Sequence, residues 1–207
     1  MELDETAILW SAPPAERAGR PLMLLLHGFG SNERDLFDLA PLLPSDYVVA
    51  SLRAPTPSGG GWTWFAVNPT VAGDPDPDVA SAAAKLVLEW LDSQSHPTVS
   101  LLGFSQGGAL ALQMLRHAPA RFETILFLSS FVTRGEVDGD AELVISRPPV
   151  FWGRGDADTR LPDAAVARTA AWLPGHTDLT ARVYPNMGHS ISQQELADIN
   201  AFLAARR

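Results

Sequence analysis

The chain of 207 residues has no cysteine and a single lysine, Lys85. Without cysteine there can be no disulfide, no thiolate metal site and no thiol nucleophile. Its 15 basic side chains face 24 carboxylates, a net charge of −9, which argues against nucleic acid and anionic membrane surfaces as partners. No apolar run reaches the roughly 18 residues of a membrane-spanning helix. The start, Met1-Glu2-Leu3-Asp4-Glu5, is acidic and lacks the basic and apolar regions of a secretory signal, so the cytoplasm is the expected compartment. There is no internal repeat. What is present in quantity is hydrophobic sequence, 46% of residues, enough for one globular domain over residues 1–207.

Short apolar runs alternate with amphipathic ones along the chain. Thr6–Trp10, Pro21–Leu26, Tyr47–Ser51, Thr98–Leu102, Ile125–Ser129, Val150–Trp152 and Ala181–Tyr184 read as strands. A helix capped by Asn32 is expected to bury Leu36, Leu39, Ala40 and Leu43, with Pro41 bending or ending it. Further helices follow Asp78, Gln106 and Pro162. The one after Pro162 presents Val166, Ala170 and Leu173 and stops at Pro174-Gly175; the last carries Leu196, Ile199 and Leu203 and ends on Arg206 and Arg207. Strands alternating with helices imply right-handed βαβ units, a mainly parallel sheet with helices on both faces, and functional residues at the C-terminal strand ends. Ala54 to Asp78 reads as a long irregular loop holding Trp62, Trp64 and Phe65. Three clustered aromatics make it either a packed flap or a wall of a binding site.

One stretch combines these signals with chemistry. The run through Leu101-Leu102 meets Gly103-Phe104-Ser105-Gln106-Gly107, and an Ala/Leu-rich helix follows at once. Strand, sharp turn and helix are the setting of a nucleophile elbow, where glycines two residues either side of the serine let the turn pass close to neighbouring backbone. Serine is a weak nucleophile until an imidazole takes its proton, and the imidazole needs a carboxylate to hold its tautomer. In elbow proteins the chain order is Ser, then Asp or Glu, then His. His189, in Asn186-Met187-Gly188-His189-Ser190 after the last strand, meets that order. Between them, Gly155-Asp156-Ala157-Asp158 offers two acids, one to meet the imidazole and the other to bond backbone N–H groups. His27-Gly28-Phe29-Gly30, just past a strand end, has the close-approach backbone and free N–H groups that suit a developing oxyanion.

These stretches resemble the phospholipase/carboxylesterase family of α/β-hydrolases, which also holds the acyl-protein thioesterases. The similarity rests on His27-Gly28-Phe29-Gly30, Gly103-Phe104-Ser105-Gln106-Gly107-Gly108-Ala109-Leu110, Gly155 to Pro162, and Gly188-His189-Ser190 with Gln193-Gln194-Glu195 behind it. It spans Leu22 to the C-terminus. The resemblance implies an α/β-hydrolase fold without a cap domain and a serine carboxylic-ester hydrolase needing neither metal nor cofactor. In that family the acid precedes a proline by four residues, which selects Asp158 through Pro162, and the oxyanion donors map to the Phe29 and Gln106 N–H groups. Relatives build a substrate wall where Trp62, Trp64 and Phe65 stand.

Two departures are visible. Arg154 replaces a common histidine, and Ser129-Ser130-Phe131 stands where Ser-Gly is usual, which would narrow the acyl side of the pocket. Substrate contacts are therefore expected from Trp62, Trp64, Phe65, Phe131 and Leu161. The expected partner is a small-molecule ester, on short to medium acyl chains, with no stable membrane association; assembly as a homodimer stays open. Thioester or lysophospholipid hydrolysis by the same triad is the neighbouring reading. A non-catalytic ligand receptor on this fold is the reading from another class.

Overall fold

The computed structural model describes residues 2–67 and 75–206. The middle of the loop expected between Ala54 and Asp78, and Arg207, expected to end the last helix, lie outside them. The uninterrupted apolar runs become inner strands: β2 (Leu22–Leu26), β3 (Val48–Leu52), β6 (Val99–Phe104), β7 (Ile125–Leu128) and β8 (Pro149–Gly155). Every residue of β2, β3 and β7 is buried, as expected of strands covered on both faces. With β1 (Leu9–Trp10) and β9 (Asp178–Tyr184) at the edges, the seven-stranded order is β1-β3-β2-β6-β7-β8-β9. Only β1 runs antiparallel to its neighbour.

Two apolar layers flank the sheet. On one face lie α1 (Pro77–Asp92), α2 (Gln106–His117) and α4 (Asp163–His176), packed over Leu24, Leu101 and Phe127. On the other lies α5 (Gln193–Ala204), whose Ile199, Phe202 and Leu203 meet Leu102, Leu126 and Phe151. This is the α/β-hydrolase fold, and the sheet places the ends of β2, β6 and β8 at one rim.

Several elements differ from the sequence reading. The run expected as a helix after Asn32 is a 3-10 turn, Phe37–Leu42. Pro41 cannot donate to a preceding carbonyl and its ring crowds the turn before it, so the segment tightens instead of propagating. Asn32 caps only locally, its Oδ1 accepting from the Arg34 N–H at 2.9 Å. The first strand shrinks to two residues behind a turn at Glu5–Ala7. The helix α4 runs through Pro174-Gly175 to His176. At its end the Thr177 N–H and hydroxyl both donate to the Leu173 carbonyl, at 3.0 and 2.8 Å, and the Arg147 guanidinium donates to the Pro174 and Thr177 carbonyls at 2.8 and 3.1 Å. The helix α1 is capped by Asp76, not Asp78, with Pro77 opening its first turn.

The polar excursion Phe131–Arg147 carries the short helix α3 (Asp140–Ser146) and hangs on one buried cation. The Arg116 guanidinium is 1% exposed and makes a forked ion pair with Asp140 at 2.7 and 2.6 Å. It also donates to Thr133 Oγ1 and to the Gly135 carbonyl.

Glu195 is the exception to the apolar inner face of α5. It is fully buried, its carboxyl lies against Gly153 of β8, and neither oxygen has a hydrogen-bond partner among the described residues. Burial pushes its pKa up to about 7, with the charge of Asp198 acting in the same direction. Because the folded value lies above the unfolded one, the neutral acid is the form the fold favours. Its contribution is complete below about pH 4.5 and declines as pH rises through about 7, a loss of about 3 kcal/mol. Chemical denaturation of the wild type and Glu195→Gln at pH 5 and pH 8 should show the variant gaining relative stability at the higher pH by about that amount. Parallel pH dependences in the two proteins would refute it.

Candidate active site

Ser105 sits between β6 and α2 with φ 55 and ψ −118, a left-handed conformation rare for a non-glycine residue. Close packing holds it there. A Cβ on Gly107 would strike the Leu26 carbonyl, and one on Gly103 would strike Gly107 itself. The Ser105 N–H is fixed to the Leu128 carbonyl at 2.9 Å, and its own carbonyl accepts from Ser130 Oγ at 2.5 Å and from the N–H groups of Gly108 and Ala109.

The three residues selected from the sequence meet at the rim. His189 Nε2 is 2.9 Å from Ser105 Oγ, and His189 Nδ1 is 2.7 Å from Asp158 Oδ2. The Asp158 side chain is 2% exposed, and its other oxygen accepts from the Arg160 N–H at 2.9 Å. The imidazole lies against the Phe104 ring, centroids 4.8 Å apart. The two loops that bring acid and imidazole together extend the β8–β9 pairing: Asp156 N–H bonds the Tyr184 carbonyl and Ala157 N–H bonds the Met187 carbonyl, both at 3.1 Å. Asp156 takes the second role foreseen for this loop. Its Oδ1 accepts from the Asn186 N–H at 2.7 Å and so ties the acid loop to the histidine loop.

Beside Ser105 runs the His27–Gly30 turn; a Cβ on Gly28 would lie 3.4 Å from that of Ser105. Neither the Phe29 nor the Gln106 N–H has an acceptor among the described residues. Two side chains whose bonds the sequence reading passed over support this region, one at the turn itself and one at the segment packed beside it. The buried His27 ring accepts from the Ala54 N–H through Nε2 at 3.1 Å, so Nδ1 carries the proton and donates to the Gly28 carbonyl at 2.8 Å. The Gly28 carbonyl and the Phe29 N–H belong to one trans peptide and point oppositely. Holding the first therefore aims the second. Burial lowers the His27 pKa, which keeps the ring in the neutral form this pattern requires.

The other side chain is that of Gln106. Its Oε1 accepts from Thr63 Oγ1 and the Trp64 N–H, each at 2.9 Å, and its Nε2 donates to the Phe65 carbonyl at 2.8 Å. The segment it grips follows a hairpin of β4 (Thr56–Ser58) and β5 (Gly61–Thr63), where the sequence reading had irregular loop. Gly59 and Gly60, both at positive φ, make the two-residue turn, a type I′ arrangement that favours glycine. The hairpin also docks on the His27–Gly30 turn through Trp62, which exchanges N–H···O bonds with Ser31 and Gly30.

A cavity of about 1140 Å³ opens over Ser105 and His189, and Trp64, Phe65, Phe131 and Leu161 are among the residues that line it. Trp64 lies beneath its surface, fully buried, with Nε1 donating to the His27 carbonyl at 2.9 Å. Trp62 does not line the cavity: its backbone is spent on docking and its ring sits under the Arg53 guanidinium, 4.9 Å away. Its expected role as a substrate contact is corrected to that of a brace.

A strained serine, a buried acid and a loop imidazole thus meet at the rim of the parallel sheet of an α/β-hydrolase fold. The sequence model of the phospholipase/carboxylesterase family matches residues 12–206, and the chain belongs to that family. Acyl-protein thioesterase 1 of Kluyveromyces lactis is 26% identical over 99% of this chain and 98% of its own. A probable carboxylesterase of Arabidopsis thaliana, SOBER1-like, is 30% identical over 90% of this chain and 79% of its own. Among solved structures, the esterase PE8 superposes with a TM-score of 0.76 at 25% identity over the whole of both chains. The Bacillus cereus carboxylesterase gives 0.79 at 20% identity over 97% and 94%, a likeness of fold.

The two aspartates of the acid loop are separable. Asp156→Ala should lower stability by about 1–2 kcal/mol through the lost bond to Asn186, read by chemical denaturation. An unchanged midpoint would mean that this bond does not hold the loops together.

Proposed function

We propose that this hydrolase is a serine carboxylesterase acting on short to medium acyl esters through a covalent acyl-enzyme. The observation that carries the reading is the unbroken relay from Ser105 Oγ through His189 to Asp158, at 2.9 and 2.7 Å, beside two unengaged N–H groups. Ser105 Oγ attacks the acyl carbonyl while His189 Nε2 takes its proton. Asp158 holds the imidazole by Nδ1 and stabilises the imidazolium. The Phe29 and Gln106 N–H groups receive the oxyanion. His189 then protonates the departing alkoxide, and a water molecule repeats the cycle to release the acid. The apolar lining by Phe65, Phe131 and Leu161 suits an aliphatic acyl chain, and the only helix in the excursion between Phe131 and Arg147 is the seven-residue α3, which supports an uncapped groove.

Acyl-thioester hydrolysis is the second reading, favoured by the Kluyveromyces lactis relative. The same steps serve it, since a thiolate leaves with less need of the proton His189 delivers. A p-nitrophenyl ester series from acetate to palmitate, run beside an acyl thioester and a lysophospholipid, ranks the substrates. Labelling of Ser105 by a fluorophosphonate separates an enzyme from a ligand receptor.

Ser105→Ala should reduce kcat/KM by about 10⁴-fold or more, and Asp158→Asn by about 10³- to 10⁴-fold, both with unchanged Tm. Near-normal turnover in either would sink the assignment. His27→Phe keeps an aromatic ring but removes both hydrogen bonds, and should lower kcat by about 10²-fold with KM retained. A rise in KM alone would show that His27 serves binding and not the oxyanion turn.

A further inference from the structure

The groove carries one feature that ester hydrolysis does not require. Of the described residues lining it, only Arg160 and Asp35 bear a fixed charge. Asp35 is engaged, its Oδ2 accepting from Ser31 Oγ at 2.7 Å. The Arg160 guanidinium has no carboxylate within ion-pair distance, and makes no hydrogen bond, among the described residues. By contrast, Arg53, Arg116, Arg121 and Arg206 each meet a carboxylate. The base of the Arg160 side chain is fixed, because its N–H is bonded to the catalytic acid's Oδ1 at 2.9 Å. The next residue, Leu161, is buried in the groove wall. In a molecule of net charge −9, a guanidinium without a carboxylate partner among the described residues gives this part of the wall a positive charge.

We propose that Arg160 is a specificity-determining residue that recognises a carboxylate on the substrate, so that the groove prefers anionic esters, such as monoesters of dicarboxylic acids, over neutral ones. The inference rests on the ester-hydrolase reading above. A guanidinium pairs with a carboxylate through two parallel N–H···O bonds, which gives orientation as well as attraction. The apolar groove floor then holds the methylene chain between the charged end and the scissile carbonyl.

The test is a ratio, which cancels general effects on catalysis. kcat/KM is measured for p-nitrophenyl hemiadipate and p-nitrophenyl hexanoate, which share a six-carbon acyl chain. A second pair, para-acetoxybenzoate and its methyl ester, places the charge on the alcohol side. The anionic-to-neutral ratio should fall about five- to tenfold in Arg160→Gln, fall further in Arg160→Glu, and recover in Arg160→Lys. About 0.5 M sodium chloride should shrink the wild-type ratio and leave that of Arg160→Gln unmoved. A response in either pair supports the proposal and locates the carboxylate on that side. Equal ratios in all four proteins for both pairs would overturn it while leaving the esterase reading intact. Hydrolysis of none of the four esters by the wild type would overturn both.

Discussion

The left-handed conformation of Ser105 is the constraint on which the site depends. A residue held at φ 55 costs free energy, on the order of 1–3 kcal/mol, and persists only where its surroundings leave no alternative. Here the surroundings are backbone. The Leu26 carbonyl crowds Gly107, the Leu128 carbonyl takes the Ser105 N–H, and the start of α2 takes the Ser105 carbonyl. Three adjacent strands, β2, β6 and β7, therefore converge on one residue. The strength of the sheet core, where these strands are almost wholly buried, is what keeps the hydroxyl lifted into the groove.

Around that point the groups of the candidate site are held in pairs, not singly. The acid and imidazole loops are joined to each other through Asp156, Ala157 and the backbone of residues 184–187 before Asp158 and His189 make contact. The two N–H groups on the other side of Ser105 are likewise held from outside the relay, one by the His27 side chain and the other by the backbone of α2. This is preorganisation by supporting bonds, which spares reorientation when charge develops. A neutral His27 and a clamped Gln106 leave little freedom in that half of the site.

Much of this was legible in the sequence where a local pattern has a single physical meaning. The apolar runs of β2, β3 and β7 could only be inner strands, and Gly103-x-Ser105-x-Gly107 between strand and helix could hardly serve another turn. Pro162, through the resemblance, separated Asp158 from Asp156. What escaped depends on long-range partners. The hairpin had its signal in Gly59-Gly60, but Pro57 and the short strands hid it. Nothing near His27 in sequence announces that Ala54 would fix its tautomer. Glu195 stands in phase with Ile199, Phe202 and Leu203, so its burial could be read from periodicity, whereas the closeness of Gly153 could not. Pro174 misled in the opposite direction: α4 runs on past it to His176 and is closed there by Thr177 and by Arg147, which is distant in sequence.

The grip of Gln106 on the Thr63–Phe65 segment has a consequence for how such a protein can change. The Gln106 N–H faces the Ser105 side and its side chain holds the cavity wall, while Trp62 and Trp64 bind the same wall to the His27–Gly30 turn. Wall and turn are mechanically one piece. Under the proposed mechanism, reshaping the aromatic side of the groove to admit a different substrate would also displace the oxyanion donors, so selectivity and turnover would shift together on this side. Among the described residues the Phe131, Arg160 and Leu161 side makes no hydrogen bond to the His27–Gly30 turn or to Gln106, so the side chains there can vary without moving those two segments.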